Sequence, residues 1–490
     1  MQITSIKKLL IPESLNSSLK HSMNYFITAF ATQGLSFISI PIFTRLFSLG
    51  DYGIVNIFGT YVSLLTLILP LGTDSISRYF YDKDKTGTDK KAYFGTSVTV
   101  SFSLLLISFT VMLIFRNKVS EWMSLPVSVL VFFIPYIFYN ILTSYFSQYN
   151  QTQGLTKKIA SLQITKSYIS FPLAVLFVWL LSKERYMGMF YTEAVCASIF
   201  GAYIIYYLRS HIKLWHITKE HLIYLYKNSI PFIPYLLSGQ ILSQFDRVMI
   251  NSYNGSSDAG LYSFAYNISM LQLMVSNAVS NGWMPEYYKQ MNEKNYKGHD
   301  DQIRNLFQLI SILTCFLIMF SGDLGQILAS KSYHSALYLI PVIIIGNYFL
   351  GIYQVYGRSF SYYMKGWVAS AVILLSGLLN IILNAIYIPK YGYQACAYTT
   401  LISYFFLFLE TWLWSKYILK KHTTNPMIFK KSFLFILVVT STFYFLNFLD
   451  LKLGLVLMIL LKAVVFLIEL LLFYYKYITG FLTSIKSGNA

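Results

Sequence analysis

The sequence predicts an all-α polytopic membrane protein of about 14 transmembrane helices. Its expected architecture is two six-helix lobes related by a pseudo-two-fold axis along the membrane normal, followed by two C-terminal helices. Three observations predict it. The 490 residues are 56% apolar and only 12% charged, with a mean hydropathy of +0.53, a composition that soluble domains of this length do not have. Apolar runs of roughly 20 residues, enough to cross about 30 Å of hydrocarbon as helix, recur from Met23 to Ile478. Shifting the chain by 207 residues lays the first six runs on the next six in unbroken order.

Taken in order, a cytoplasmic N-terminus (1–21) precedes spans at 22–46, 52–81, 92–115, 125–150, 158–181 and 187–208, which form an N-lobe over 22–208. A cytoplasmic linker (209–227) leads to spans at 228–252, 259–288, 303–322, 334–362, 366–388 and 393–417, a C-lobe over 228–417. A loop (418–428), two more spans at 429–449 and 452–476, and a cytoplasmic tail (477–490) complete the chain. The formal charge of +18 would suggest nucleic acid in a soluble protein, but here it reads as topology, because 26 of the 38 Lys and Arg fall on one side of the spans, 8 on the other and 4 within them. Positive residues mark the cytoplasmic side, which places both termini inside and agrees with an even number of spans. No nucleic-acid partner is expected.

Lys7, Lys8 and Lys20 precede the first run without a small-residue cleavage site, so no removable signal peptide is expected. Cys196, Cys315 and Cys396 fall within apolar runs and read as buried thiols; neither a disulfide framework nor metal-ligand spacing is present. No cofactor and no metal are expected.

In the 207-residue register Gln33 falls on Gln240, Ser36 on Ser243, Asp51 on Asp258, Gly53 on Gly260, Tyr149 on Tyr356, Lys158 on Lys365, Tyr186 on Tyr393 and Tyr191 on Tyr398. An even number of spans per repeat makes the two halves enter the membrane from the same side, so their axis runs along the membrane normal and a central cavity between the lobes is expected. One departure from the repeat is informative. Asp246 and Arg247 correspond to Ser39 and Ile40, and ionised groups within apolar helices are unfavourable unless they face a partner or a wet cavity. Prolines 41, 70, 135, 172, 231, 234 and 341 fall within the runs, where each removes a backbone donor and can bend a helix.

Pro41-Ile-Phe-Thr-Arg45-Leu-Phe-Ser-Leu-Gly50-Asp51-Tyr52-Gly53 resembles the first signature of polysaccharide-repeat-unit exporters in the multidrug/oligosaccharidyl-lipid/polysaccharide superfamily. Asp246-Arg247 followed by Gly260-Leu-Tyr262 is similar to its second-lobe counterpart. Asn380-Ile-Ile-Leu-Asn384 through Pro389 and Gly392-Tyr-Gln394-Ala395 resembles a third signature, with Gln394 where the family has its second glycine. The resemblance covers residues 20–480. It implies an inner-membrane flippase, not an enzyme, moving an undecaprenyl-pyrophosphate-linked oligosaccharide, an O-antigen (lipopolysaccharide) or capsule precursor, from the inner to the outer leaflet. It also implies that Phe429–Tyr475 forms a groove for the lipid tail. Membrane lipids are expected partners, a polymerase of the same pathway is a candidate partner, and a monomer is expected.

A pyrophosphate cargo needs basic groups at several depths and polar side chains for sugar hydroxyls. Arg78 near the inner end of span two, Lys166 about 12 Å into span five at ~1.5 Å per residue, Arg247 in the outer half of span seven and Arg45 at the outer end of span one form a candidate cationic ladder. The competing reading is structural: Asp74 pairs with Arg78 one turn away, Asp246 neutralises a neighbour, and Arg45 and Arg78 reach headgroups. Gln33, Gln240, Gln244, Asn267, Gln272 and Asn277 are candidate cavity-lining positions, although interhelical hydrogen bonding explains each as well. Lys462 and Glu469, two turns apart, read as a structural or lipid-facing pair. A coupling ion, proton or sodium, stays open, with Glu193 and Glu410 as carboxylates available to carry one.

Two other functions remain to be weighed. A multidrug/cation antiporter of the same superfamily would share the layout, but usually has twelve spans. A glycan polymerase or ligase would need a long outer loop, whereas the longest expected here runs only from Gly322 to His334, and no nucleophile, paired-carboxylate or metal constellation is evident.

Overall fold

The computed structural model describes residues 31–486 apart from 33, 72, 83–84, 214–216, 421 and 450–453, and excludes the side chains of Asp74, Phe232 and 476–486. Among the described residues there is helix and no strand. Eleven helices among the described residues are long and apolar enough to cross a membrane, with Gly34–Leu46 as a shorter apolar helix. By packing, the chain divides into Met1–Gly260 and Leu261–Ala490.

The first unit contains α1 (Gly34–Leu46), α2 (Leu49–Ile68), α3 (Thr73–Tyr81), α4 (Gly87–Ile114), α5 (Arg116–Met123), α6 (Phe133–Thr152), α7 (Thr156–Leu180), α8 (Met187–Leu208), α9 (Lys219–Ser229), α10 (Ile233–Asn254) and the start of α11 (Ser256–Asn292). The run expected as one span over 52–81 is broken between α2 and α3 at Pro70, whose ring cannot continue a helix. The break frees the Leu71 carbonyl, and the buried Tyr145 hydroxyl of α6 lies 2.8 Å from it, satisfying a group that would otherwise be stranded in apolar surroundings. The linker expected over 209–227 contains α9, started by the Thr218 side chain accepting from the His221 amide and held to α4 by His221 Nε2 and Asp89 Oδ1 at 3.0 Å. α8 matches its expected bounds of 187–208 and packs on α6 and α7.

The second unit contains the rest of α11, then α12 (Tyr296–Leu328), a 3-10 segment (Lys331–Leu339), α13 (Ile340–Tyr362), α14 (Gly366–Tyr391), α15 (Gln394–Leu413), α16 (Lys430–Phe448) and α17 (Leu455–Lys486). α12 outruns the expected 303–322 at both ends. Its start is capped by the Asn295 side chain, which accepts from the Gly298 amide, and the outer loop expected from Gly322 shrinks because helix continues to Leu328. α13 packs on α15, α14 on α15, and α12 on α16 and α17. Prolines 231, 234 and 341 lie in the first turn of a helix, where the missing amide costs nothing; Pro172 sits within α7.

α10 and α11 answer to the spans expected at 228–252 and 259–288, yet they are outside the eleven. Ser, Asn, Gln and the Asp246-Arg247 pair lower their hydropathy, so their polarity, not their length, separates them from the other spans.

Candidate functional site

The residues that carry the sequence signatures are first of all a code for starting helices. Ser48 and Asp51 form a reciprocal capping box at α2, with Ser48 Oγ accepting from the Asp51 amide at 3.1 Å and Asp51 Oδ2 accepting from the Ser48 amide at 3.1 Å, which satisfies two orphan donors of the first turn. At the equivalent place Gly255 ends α10 with φ +91°, a left-handed conformation that glycine adopts without strain, and α11 begins one residue later with Asp258 in its first turn.

The two starts then meet through their glycines. A Cβ on Gly53 would collide with the Ser256 backbone carbonyl, and one on Gly260 would collide with that of Leu49. Leu49 and Ser256, like Gly53 and Gly260, are 207 residues apart. The contact is therefore self-reciprocal, each partner presenting the same patch, as two-fold related surfaces do. The repeat seen in sequence is realised as a local two-fold contact.

The proposed cations differ in setting. Arg247 and Asp246, in α10, are 5% and 1% exposed, which places both among the most buried charged residues of the first unit. Lys166 is partly buried in α7, 2.5 Å from Glu193 of α8 and 4.7 Å from the Tyr139 ring centroid. Arg78 is exposed and its Nη1 donates to Asn228 Oδ1 at 3.3 Å. Arg45 is exposed, with Nη1 donating to the Pro41 carbonyl at 2.6 Å. The side chain of Asp74 and the whole of Gln33 lie outside the described residues.

Of the polar positions, Gln240 and Gln244 are half-buried in α10, and Asn267 and Asn277 are half-buried in α11. Gln272 is buried and donates through Nε2 to Ser276 Oγ at 3.0 Å and to Thr314 Oγ1 at 3.2 Å, an interhelical bond between α11 and α12. Arg358 of α13, which sequence reading did not single out, donates through Nη2 to the Ser280 carbonyl at 2.7 Å and Ser280 Oγ at 2.8 Å. Its only sequence signal is a basic residue four positions inside the end of an apolar run. In the third signature Asn384 Nδ2 donates to Asn380 Oδ1 at 3.1 Å, and Thr399 of α15 bonds to Asn384. These asparagines bind α14 to α15. Gln394 is the first residue of α15 and exposed, so a side chain fits where the family has glycine.

Two tyrosines in register repeat a role at the loop ends. Tyr149 Oη and His211 Nδ1 are 2.9 Å apart; burial, with Lys91 and Lys158 nearby, pushes the His211 imidazole below its ordinary pKa, favouring the neutral ring. Tyr356 Oη donates to the Thr424 carbonyl at 2.8 Å. Each closes the chain segment that follows its own set of spans back onto it.

Lys462 does not pair with Glu469. Its Nζ lies 2.7 Å from Asp323 Oδ2 of α12, with the two side chains 3% and 5% exposed, while Glu469 accepts from Thr442 at 2.6 Å. A lysine in the lipid-spanning α17 takes the acidic partner its packing presents, and helix-surface spacing alone does not choose it. Replacing Asp323 by Ala strands a buried ammonium and is expected to cost about 3–5 kcal/mol. Thermal unfolding in detergent checks this, with the Asp323→Leu, Lys462→Met pair expected to recover most of the loss.

Comparison with known proteins places this arrangement. A family described as polysaccharide biosynthesis protein matches residues 18–291. A Haemophilus influenzae protein of the Lsg locus is 22% identical over 401 residues, covering 76% of this chain and 94% of its own length. The probable low-salt glycan biosynthesis flippase Agl15 of Haloferax volcanii is 23% identical over 176 residues, 34% of this chain and 36% of that protein. Among solved structures, the lipid II flippase MurJ in an inward closed conformation superposes with a TM-score of 0.73 at 19% identity, over 92% of this chain and 99% of that one, so the fold is shared from the first helices into the C-terminal pair. With more than half of its residues matched by the family model, this multi-pass membrane chain belongs to the polysaccharide biosynthesis protein family.

Proposed function

We propose that the protein is a flippase for a lipid-linked glycan precursor, and more finely that it carries an undecaprenyl-pyrophosphate-linked repeat unit of O-antigen or capsule from the inner to the outer leaflet of a bacterial cytoplasmic membrane. The observation that carries this reading is a polysaccharide biosynthesis family match on a chain built of membrane-crossing helices. The buried Arg247 and the partly buried Lys166 support it, since cations inside apolar helices suit a pyrophosphate. In this reading the lobes 22–208 and 228–417 rock in alternating access, both termini are cytoplasmic, and 429–476 guides the lipid tail. Arg45, Arg78, Lys166 and Arg247 pass the head group along, while Gln240, Gln244, Asn267 and Asn277 bond its sugars.

Glu410 of α15, buried and accepting from Ser376 at 3.0 Å, is the observation that favours ion coupling, and with it the second reading of a cation-coupled drug antiporter. Deleting the gene separates the two. The flippase reading expects lipid-linked oligosaccharide to accumulate in the cytoplasmic leaflet and surface glycan to vanish, both restored by the intact protein. Normal glycan export with altered dye or drug resistance selects the antiporter.

A further inference from the structure

A cluster unused by transport lies in the second unit, where the start of α12 meets the segment between α15 and α16. His299 and Asp300 come from the first turns of α12; His422 and Thr424 come from the segment. Three groups converge on one oxygen. Thr424 Oγ1 lies 2.6 Å from Asp300 Oδ1, His422 Nε2 lies 3.2 Å from it, and His299 Nδ1 also lies 3.2 Å from it. One ligand atom from each of His299, Asp300 and His422 falls within 4.8 Å of the others.

Hydrogen bonding alone serves this geometry poorly. The threonine hydroxyl takes one lone pair of Oδ1, and a carboxylate oxygen has about one more to offer, so two imidazoles compete for it. His299 is 5% exposed, so its Nδ1 has little solvent to turn to in place of the carboxylate.

A cation removes the conflict, because both imidazoles then present lone pairs in place of competing N–H groups. Nitrogen and oxygen ligands about 2.0–2.1 Å from a first-row divalent ion stand roughly 3.0–3.4 Å from one another; the two 3.2 Å separations to Asp300 match this, and the widest separation in the trio, bounded by 4.8 Å, closes as the two imidazoles turn to the ion. A void of about 20 Å³ beside the cluster, bordered by His299, His422, Thr424 and Tyr356 but not by Asp300, has room for one water. The rings are held in place. His422 stacks on Tyr296 with centroids 4.3 Å apart, and His299 packs 5.4 Å from Tyr287 and 5.6 Å from Trp283.

We propose that His299, Asp300 and His422 form a binding site for a divalent metal of zinc's class, with Thr424 holding the carboxylate and water completing the coordination. The ion joins the start of α12 to the segment entering α16 and so sets where the C-terminal helices attach. The site does not depend on the transport reading.

The test uses full-length protein purified on a histidine-free tag, stripped with chelator and titrated with Co²⁺. One equivalent is expected to bind with visible d–d absorption that Zn²⁺ abolishes. His422→Ala and Asp300→Asn are each expected to weaken binding at least about 100-fold, the upper end of what losing a mere supporting partner costs. No Co²⁺ band in the wild type overturns the site, as does binding that survives both substitutions, which is an adventitious ion only. Should neither variant accumulate, the stripped wild type decides: Zn²⁺ is expected to raise its melting temperature, and no shift overturns the proposal.

Discussion

Gly53→Ala is expected to abolish surface glycan and to cut the amount of folded protein in the membrane, and Gly260→Ala to do the same. Overpacking a core with one methylene usually costs about 1–3 kcal/mol because side chains shift to make room. Here the obstacle is backbone, the Ser256 carbonyl facing Gly53 and the Leu49 carbonyl facing Gly260, so the two helix starts must separate. Because the contact is reciprocal, either substitution disturbs both helices. Gly59→Ala, six residues along α2 where an added Cβ meets nothing within 4 Å, is the matched control and should leave abundance and export unchanged. Membrane abundance, melting temperature in detergent and surface glycan are the measurements. A Gly53→Ala protein at normal abundance with normal export would show that the helices yield at this point.

The glycines also mark what was legible from sequence. Their spacing of 207 residues and their signature could be read, because a repeat is a pattern along the chain. Their contact could not, since nothing local says that residue 53 touches residue 256. The same boundary runs through the fold. Apolar run lengths placed α8 at its observed limits, but the run over 52–81 reads as one span in which Pro70 can only bend the helix, whereas the structure breaks it before α3. Helix ends that depend on a side-chain cap, such as Asn295 at α12, fell outside what hydropathy registers. Partner choice was the hardest part. Lys462 was matched to Glu469 by helix spacing, yet its partner is Asp323, 139 residues away, and the cluster of His299, Asp300 and His422 joins two segments that no motif links. Asp246-Arg247 stood out because charge is rare in apolar helices, and the structure buries both.

Arg247→Gln is expected to reduce export of the lipid-linked glycan roughly 10- to 150-fold while membrane abundance stays near normal. The range follows from removing a hydrogen bond to a charged group, about 1.5–3 kcal/mol. Gln keeps much of the length and polarity of the side chain and so limits the packing loss. The alternative is that Arg247 only offsets the buried Asp246, in which case removing one charge leaves the other stranded and costs stability. The double variant Asp246→Asn, Arg247→Gln separates the two roles. If Arg247 is there solely to balance Asp246, the neutral pair recovers both melting temperature and export. If Arg247 meets the pyrophosphate, the neutral pair recovers melting temperature but export stays low, because the cargo still crosses without its cation. Arg247→Lys is expected to fall between, since lysine supplies the charge but not the planar fork that grips phosphate at two points. Full export by the neutral double variant would remove Arg247 from the translocation path.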